Sequence, residues 1–325
     1  MTDGTRIAIT GIGAVSGLGV GVTPLVDALR SGDTPSADLM EADYAPEDFR
    51  ESSKTYMDPC SDHALTACYL AVRDAGLRWE GGEHPDLEAD RLGASIGTAF
   101  GTLESMLNMT GRVQQKGLRF GSPMIFTHAF INTPVALIAI EYALQGPNML
   151  HSLGDASGAA ALGYALMMMR AGRADVMLAG GCEALSDPLL AAMDERGFEG
   201  TLGEGAAVLV LETEEHAAAR GARALAELKS GVTLARCDAD AHEQSCAHGD
   251  TCGCGQSHAS AQALIAARSE RAQVIDAATV CGHTFGASVA LSAACCAALA
   301  AEAEEPLAAV SADGAGAVVI GRWHE

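Results

Sequence analysis

Basic residues are scarce in this sequence. Only 20 Lys and Arg stand against 42 Asp and Glu, so the 325-residue chain carries a formal net charge of −22 at pH 7. Such an acidic surface repels phosphate groups, which argues against nucleic acid and anionic lipid as binding partners. Ordinary acidic solubilisation explains the imbalance equally well. On either explanation we expect no nucleic-acid partner and no membrane partner.

The sequence also lacks a long apolar run and an N-terminal targeting pattern. Its longest apolar segments, residues 286–301 and 135–144, fall short of the roughly 20 residues that a membrane-spanning helix needs, so we predict that both are buried core. Residues 1–4 are polar and lead directly into a predicted strand, unlike a secretory signal. We therefore expect a cytoplasmic protein whose ten cysteines are mostly reduced thiols.

Strand-like segments alternate with amphipathic helical segments along the chain, which predicts an α/β fold with mostly parallel sheets. The predicted strands are residues 7–12, 94–97, 176–179, 206–212, 310–311 and 317–321. The predicted helices are residues 22–31, 62–75, 103–115, 134–144, 158–171 and 288–304. A hydrophobic fraction of 49% is ample for a buried core.

Residues 146–158 (GPNMLHSLGDASG) predict a strand, a sharp turn and the start of a helix. This arrangement presents one side chain at a helix N-terminus, where backbone N–H groups and the helix dipole stabilise an anion. A cysteine there would be an activated thiolate suited to acyl transfer. The sequence has Asp155 instead, and the mixed anhydride that a carboxylate forms with an acyl group hydrolyses readily. The pattern therefore predicts the turn without its covalent chemistry.

Five motifs, taken in order, resemble those of β-ketoacyl synthases, the condensing enzymes of fatty-acid and polyketide assembly. They are residues 6–16 (RIAITGIGAVS), 146–158, 172–184 (GRADVMLAGGCEA), 202–212 (LGEGAAVLVLE) and 282–288 (GHTFGAS). The resemblance covers nearly the whole chain. It implies a thiolase-like fold, in which two similar halves stack into a five-layered α-β-α-β-α sandwich. Residues 1–215 would form the first half and residues 216–325 a shortened second half.

The same resemblance implies that most of the catalytic groups are missing. The family's nucleophilic cysteine falls on Asp155 and its lysine on Ala278, while the second of its two histidines is retained as His283. Two placements compete for the first histidine: a degraded motif at residues 248–252, or an earlier element at residues 240–242 with the motif absent. We favour absence, because the span is too short for the usual strand and helix.

Each candidate residue also has a structural explanation. Asp155 could be a helix N-terminal acid, His283 a buried histidine that holds a loop, and Ser157 a helix cap. Ser152 could serve a hydrolase if a His–Asp relay forms in space. Two alternatives to a non-catalytic subunit therefore stay open: a stand-alone acyltransferase or hydrolase using Asp155 or Ser152, and a structural remnant.

The Cys/His-rich segment at residues 237–258 contains residue types that bind zinc, so its spacing is compared with that of zinc sites. Structural zinc sites pair their ligands as Cys-x₂₋₄-Cys with a second pair at a defined distance. Here only Gly253 separates Cys252 from Cys254, and no clean second pair follows. The surrounding Gly, Ser and Asp residues predict an exposed loop. We expect neither a metal nor a cofactor.

The predicted helix 103–115 carries a stripe of mostly bulky side chains at the i, i+3, i+4, i+7 spacing that is typical of core. In the family, however, this helix borders the dimer interface and the acyl tunnel, and the segment after it reaches the partner's active site. Flexible methionines suit a tunnel wall. The residues implied to lie at the tunnel or interface are Met106, Met109, Thr110, Val113, Met124, Ile125, Phe126 and Thr127.

A relative of this family that has lost its cysteine resembles the chain-length factor, or ketosynthase-β subunit, of type II polyketide synthases. A glutamine commonly replaces the cysteine in such subunits, so Asp155 indicates a divergent branch, of polyene rather than aromatic type. The resemblance implies a heterodimer with a catalytic ketosynthase and a growing acyl chain in a shared tunnel. It also implies contact with an acyl carrier protein, mainly through the partner. Alone, the chain is predicted to have no condensing activity.

Overall fold

The computed structural model describes residues 5–50, 56–78, 88–233, 272–310 and 316–324. The Cys/His-rich segment 237–258 and both placements of the family's first histidine lie outside the described residues, so these expectations stay predictions. Within the described ranges, no group of three His, Cys, Asp or Glu side chains could hold a metal ion. Every helix in those ranges is too short or too polar to span a bilayer.

The chain alternates between strands and helices as predicted. The strands are β1 (Ile7–Ser16), β2 (Gly19–Val20), β3 (Leu39–Met40), β4 (Leu92–Gly97), β5 (Asn148–His151), β6 (Val176–Glu183), β7 (Leu202–Gly203), β8 (Gly205–Thr213), β9 (Ala226–Thr233), β10 (Gln273–Ile275), β11 (Leu307–Val310) and β12 (Gly316–Arg322). The α-helices are α1 (Thr23–Ser31), α2 (Pro59–Asp74), α3 (Leu103–Lys116), α4 (Pro123–Phe126), α5 (Thr133–Glu141), α6 (Ser157–Arg170), α7 (Asp187–Glu195), α8 (Glu214–Ala219), α9 (Ala278–Cys281) and α10 (Ser288–Leu299).

In the described ranges, ten strands form one mixed sheet with the order β10-β11-β12-β9-β1-β8-β6-β4-β5, and β2 pairs with β1. Strands β5, β4 and β6 are parallel neighbours, whereas β8 is antiparallel to both β6 and β1. The prediction of mostly parallel sheets is wrong, because β9, β11 and β12 also pair antiparallel. Strand β9 pairs with β1 only through Ala8–Glu227 and Ile9–Ala226. Because this short pairing joins strands from both parts of the sequence, the division at residue 215 stays a prediction.

The helices form layers on this sheet. Helices α2 and α5 cover one face of the first-half strands. Helices α6 and α10 cover the opposite face and also contact β9 and β12, so they lie between the first-half and second-half strands. A helix in such a central layer must be apolar on all sides, and ten of the twelve residues of α10 are buried.

Close packing in the central layer depends on small residues. A Cβ atom added at Gly231 of β9 would lie 2.9 Å from the Cα atom of Gly163 in α6, so only glycine allows this approach. The predicted core segment 286–301 is confirmed as buried, apart from its C-terminal end. The prediction for residues 135–144 is only partly correct, because α5 lies in an outer layer and leaves Ile140 67% exposed.

Candidate functional site at the turn before α6

A closed turn connects β5 to α6. Gly154 has a φ of 60°, and the Ser157 hydroxyl accepts a hydrogen bond from the Leu153 N–H (2.8 Å) and donates to the Gly154 carbonyl (2.6 Å). The cap position of α6 is Ala156, which makes no side-chain cap bond, and the first turn contains no acidic residue. The prediction of Ser157 as the helix cap is therefore wrong, because the turn itself uses the hydroxyl. Asp155 lies directly before the cap residue, and its interpretation as a helix N-terminal acid stays a prediction.

Asp155 pairs with His283. Its Oδ1 atom lies 3.3 Å from His283 Nε2, and the two side chains are 16% and 18% exposed. The backbone of His283 is fixed beside β7, because its N–H donates to the Thr201 carbonyl (2.8 Å) and its carbonyl accepts from the Gly203 N–H (3.0 Å). The backbone of His283 thus holds the loop, whereas the prediction of a buried histidine is wrong, because the ring is partly exposed and faces the carboxylate.

Aromatic rings enclose the His283 side chain. The Phe285 ring lies edge-on at 4.5 Å between ring centroids, and the Phe198 ring lies at 5.7 Å. Phe285 has a φ of 42°, a left-handed conformation that costs energy for a bulky residue and is concentrated at functional sites. The next residue must be glycine, because a Cβ at Gly286 would lie 2.5 Å from the Ala99 nitrogen.

A buried carboxylate, Glu183, holds the two loops around this pair. It is fully buried at the end of β6. Its oxygens accept hydrogen bonds from the Thr98 hydroxyl and from the N–H groups of Ala99, Phe100, Gly101 and Gly286, at 2.7–3.2 Å. Burial raises the pKa of Glu183 to about 7, although these hydrogen bonds lower it in part. Glu183 therefore ties the loop after β4 to the turn after His283.

The sequence motif contained Glu183 but gave it no role. A signal was available: it is the one acidic residue in a run of small and apolar strand residues, 176–184. A carboxyl group in such a buried strand must either be protonated or have its oxygens fully hydrogen-bonded. The hydrogen-bond donors to Glu183 could not be predicted from the sequence, because they come from segments more than 80 residues away in both directions.

The other predicted catalytic positions contribute little. Ala278 begins α9, where its N–H donates to Asp276 (3.0 Å), and it brings no charge. Ser152 is exposed, and its hydroxyl donates to the Ala99 carbonyl (3.2 Å). In the part of the chain that the structure describes, no histidine is hydrogen-bonded to Ser152, so the arrangement offers it no general base.

The stripe on α3 is on the surface. Met106 and Thr110 are exposed, and Met109 and Val113 are half-buried against Gly121. Of the whole helix, only Ser105 is buried. The interpretation of this stripe as plain core is therefore wrong, because two of its four side chains are exposed and the other two are only half-buried. Its role as a tunnel wall stays a prediction.

The segment after α3 also exposes apolar side chains. In α4, Ile125 is buried while Met124 and Phe126 are 51% and 50% exposed, and the exposed Thr127 donates its hydroxyl to the Met124 carbonyl (3.0 Å). All but three of the exposed large apolar side chains in the described ranges lie between residues 106 and 167. Exposed apolar side chains concentrated in one part of a chain are typical of an interaction site.

The arrangement of layers and the site at the turn before α6 define a ketosynthase-type protein. Residues 37–217 match the family model for the N-terminal domain of β-ketoacyl synthases, which is more than half of the chain. The chain therefore belongs to the β-ketoacyl synthase family.

Relatives come from fatty-acid and polyketide assembly. The chain is 32% identical to 3-oxoacyl-[acyl-carrier-protein] synthase I, chloroplastic, of Hordeum vulgare, over 72% of this chain and 58% of that one. It is 31% identical to a putative polyketide β-ketoacyl synthase 1 of Streptomyces cyaneus, over 70% of this chain and 63% of that one. The chain thus spans about three fifths of the length of these relatives.

A solved structure, the ishigamide ketosynthase/chain length factor, superposes with a TM-score of 0.78 at 20% identity, covering 98% of this chain and all of that one. A sequence identity this low supports a shared fold only. The thiolase-like fold predicted from the sequence is confirmed.

Proposed function

We propose that this chain is a non-catalytic, chain-length-factor-type subunit of a type II polyketide synthase in the cytoplasm. It pairs with a catalytic ketosynthase and shapes a shared tunnel for the growing acyl chain. The observation that carries this proposal is the Asp155–His283 pair. A carboxylate stands where the family has its nucleophile, and it lies 3.3 Å from the retained histidine.

The pair leaves no route to a stable acyl-enzyme. Transfer of an acyl group to Asp155 would form a mixed anhydride, which water hydrolyses, whereas condensation needs a thioester that survives until the extender arrives. The family's lysine position is Ala278, so a positive charge is also missing there. The frame of the active site is thus kept by Glu183 and Ser157 without the groups that do the chemistry.

The exposed apolar surface supports a protein partner. It includes Leu118, 83% exposed, together with Phe120, Met124, Phe126 and Phe130, each about half exposed. Strand β5, at one end of the sheet order, lies in the same part of the chain and exposes Met149. Among the described residues β5 is an edge strand, and an edge strand in a segment with exposed apolar side chains is normally covered in the functional assembly. We assign this surface to the catalytic ketosynthase.

The acyl carrier protein would contact mainly the catalytic partner. Carrier proteins of these systems are acidic, and this chain has a net charge of −22, so the two repel each other. The acyl chain itself would enter the tunnel between the subunits, beside the Met106–Val113 side of α3. No cofactor enters this scheme.

Co-expression with a ketosynthase that retains its cysteine tests the proposal. We expect the two proteins to co-purify and to elute as a 1:1 complex in size-exclusion chromatography. Incubation with an acyl-carrier thioester should add an acyl mass to the ketosynthase and none to this chain. An acyl mass on the isolated chain, or failure to pair with any ketosynthase from the same assembly, would contradict the proposal.

The Asp155→Cys variant, which restores the family's cysteine, tests whether the loss of condensing activity depends on this residue alone. We expect no condensation from it, because the family's lysine position is Ala278 and we predict that the first histidine is absent. Intact mass after incubation with the thioester, together with product analysis, checks this result. Condensation by this single variant would mean that the remaining site is more complete than the geometry indicates.

A further inference from the structure

The one buried side chain of helix α3 is polar. A helix that packs on a domain usually buries an apolar stripe. Of the 14 residues of α3, however, only Ser105 is buried, while Met106 and Leu107 are 44% and 41% exposed. Leu103, at the first position, is half-buried beside Phe285 and its neighbours. Met109 and Val113 are half-buried against Gly121, and the buried Ser105 is the polar anchor of the first turn.

The Ser105 hydroxyl lies between two partners. Its Oγ atom is 2.5 Å from Asp58 Oδ2 and 2.8 Å from the Tyr56 hydroxyl. Asp58 is almost completely buried and also accepts the Cys60 N–H (3.0 Å). Burial raises the pKa of Asp58 to about 6, so at pH 7 and above the carboxylate is ionised and only accepts. Ser105 then gives its single proton to Asp58, and Tyr56 donates to Ser105. The three side chains thus form one directed hydrogen-bond chain.

Tyr56 also contacts the segment that follows α4. Its ring lies edge-on to the His128 ring, with 5.5 Å between centroids and 77° between planes. Residue 128 is two positions past the end of α4. One side chain therefore touches both apolar surface elements, α3 through its hydroxyl and residues 123–128 through its ring.

The base of this hydrogen-bond chain is rigid. Asp58 is the cap residue of α2, a helix with ten of its sixteen residues buried, which packs on β1 and β8. A wall that must hold a ligand in register has to be fixed to within roughly 0.5 Å, which exposed side chains alone cannot do. The buried Asp58 and Ser105, together with the partly buried Tyr56, are able to provide that fixation.

We propose that Asp58, Ser105 and Tyr56 are positioning residues that fix α3 and residues 123–128 relative to α2, and thereby set the length to which the acyl chain grows. The second part of this inference rests on the proposed function; the first part does not. The three side chains act through the surface elements and do not touch the acyl chain.

Hydrogen exchange of the purified full chain tests the fixation. In Ser105→Ala, amide exchange across α3 should become about tenfold faster, since one buried hydrogen bond to a charged group is lost. Ser95→Ala is the matched control, because Ser95 is equally buried and its hydroxyl donates to the Ala161 carbonyl (2.9 Å), in the central layer. Equal exchange of α3 in the two variants would overturn the proposal.

Two substitutions of Tyr56 separate its two contacts. Tyr56→Phe keeps the ring against His128 and loses the hydroxyl, so only α3 should exchange faster. Tyr56→Leu removes both contacts, so residues 123–130 should exchange faster as well. Tyr44→Phe, which removes a hydroxyl bonded to His63 Nδ1 (2.8 Å), is the control. Unchanged exchange in Tyr56→Phe, or identical patterns in the two Tyr56 variants, would refute the assigned roles.

Product analysis of the complex with its ketosynthase tests the second part. Ser105→Ala and Tyr56→Phe should shift the products from one main chain length to several, with the complex still assembled, whereas Ser95→Ala should leave the distribution unchanged. Faster exchange of α3 with an unchanged distribution would overturn the link to chain length. If the wild-type complex makes no polyketide, the proposed function fails, and the exchange experiment still decides the fixation.

Discussion

Two neighbouring regions of this chain place polar and apolar side chains in opposite ways. Around Glu183, a carboxylate is fully buried and accepts five hydrogen bonds. On the surface formed by residues 106–149, a group of methionine, leucine and phenylalanine side chains is 41–83% exposed. The first region has all its partners within the chain. The second resembles a core that lacks its other half, which is how an obligate interface looks when seen from one side.

The largest difference between the regions should appear when a leucine is shortened in each. Leu162 is fully buried in the central layer, and Leu118 is 83% exposed. Leu162→Ala should lower the free energy of unfolding by about 2–5 kcal/mol through lost burial and a residual cavity. Leu118→Ala should change it by less than about 0.5 kcal/mol. Urea unfolding at a fixed protein concentration measures both, and similar losses would show that residues 106–149 are not a free surface.

Glu183→Gln should give the next largest effect. The amide nitrogen replaces an oxygen that accepts backbone N–H groups, so the free energy of unfolding should fall by about 2–3 kcal/mol. Exposed Glu199→Gln is the control and should be nearly neutral. A neutral result at Glu183 would mean that the carboxylate does not hold the two loops.

The free energy of unfolding that is lost in Glu183→Gln should decrease as the pH rises. Burial raises the pKa of Glu183 from 4.5 to about 7. The folded state therefore binds the proton more tightly, and this contribution to stability is full below about pH 4.5 and is lost as the pH rises through about 7. The free energy of unfolding of the wild type should thus exceed that of Glu183→Gln by more at pH 5 than at pH 8. Urea unfolding at both pH values measures this difference. The opposite order would contradict a raised pKa.

Much of the fold was predictable from the sequence, because strands and turns have local sequence signals. Alternation and glycine turns located β1, β4, β6 and β8 to within a few residues, although β1 and β6 each run four residues further than predicted. Helix α2 begins three residues before its predicted start, since Asp58 caps it. Strand β9 was missed because the charged side chains of Glu227 and Lys229 break its apolar pattern.

The candidate site was predictable only in part. The motifs indicated that Asp155 and His283 both belong to it, but their pairing brings together residues 128 positions apart, which no local pattern encodes. The exposure of α3 was also not readable, because the spacing of a stripe is the same whether it faces a core or an absent partner. The chain of Asp58, Ser105 and Tyr56 had no sequence signal, since each residue type is ordinary at its position.

An acidic substitution on the apolar surface should have a smaller effect, seen in association rather than in folding. Phe126→Asp should weaken the complex with the ketosynthase about tenfold, because a charge is buried without a partner at the interface. The free energy of unfolding of the isolated chain should stay within about 0.5 kcal/mol. Val274→Asp, an exposed apolar site on β10 at the other end of the sheet, is the control. Equal affinities of the two variants would place the interface elsewhere.

The smallest effect on stability should come from filling the predicted tunnel. Thr110 is exposed and its hydroxyl bonds only within α3, to the Met106 carbonyl (2.8 Å). Thr110→Trp therefore should cost less than about 0.5 kcal/mol, whereas overpacking a sealed core costs about 1–3 kcal/mol. In the complex, the added ring should shorten the polyketide products, as should Met109→Trp. Gln115→Trp, on the opposite side of the same helix, should leave both stability and product length unchanged. Loss of folding without a change in product length would mean that α3 is not a tunnel wall.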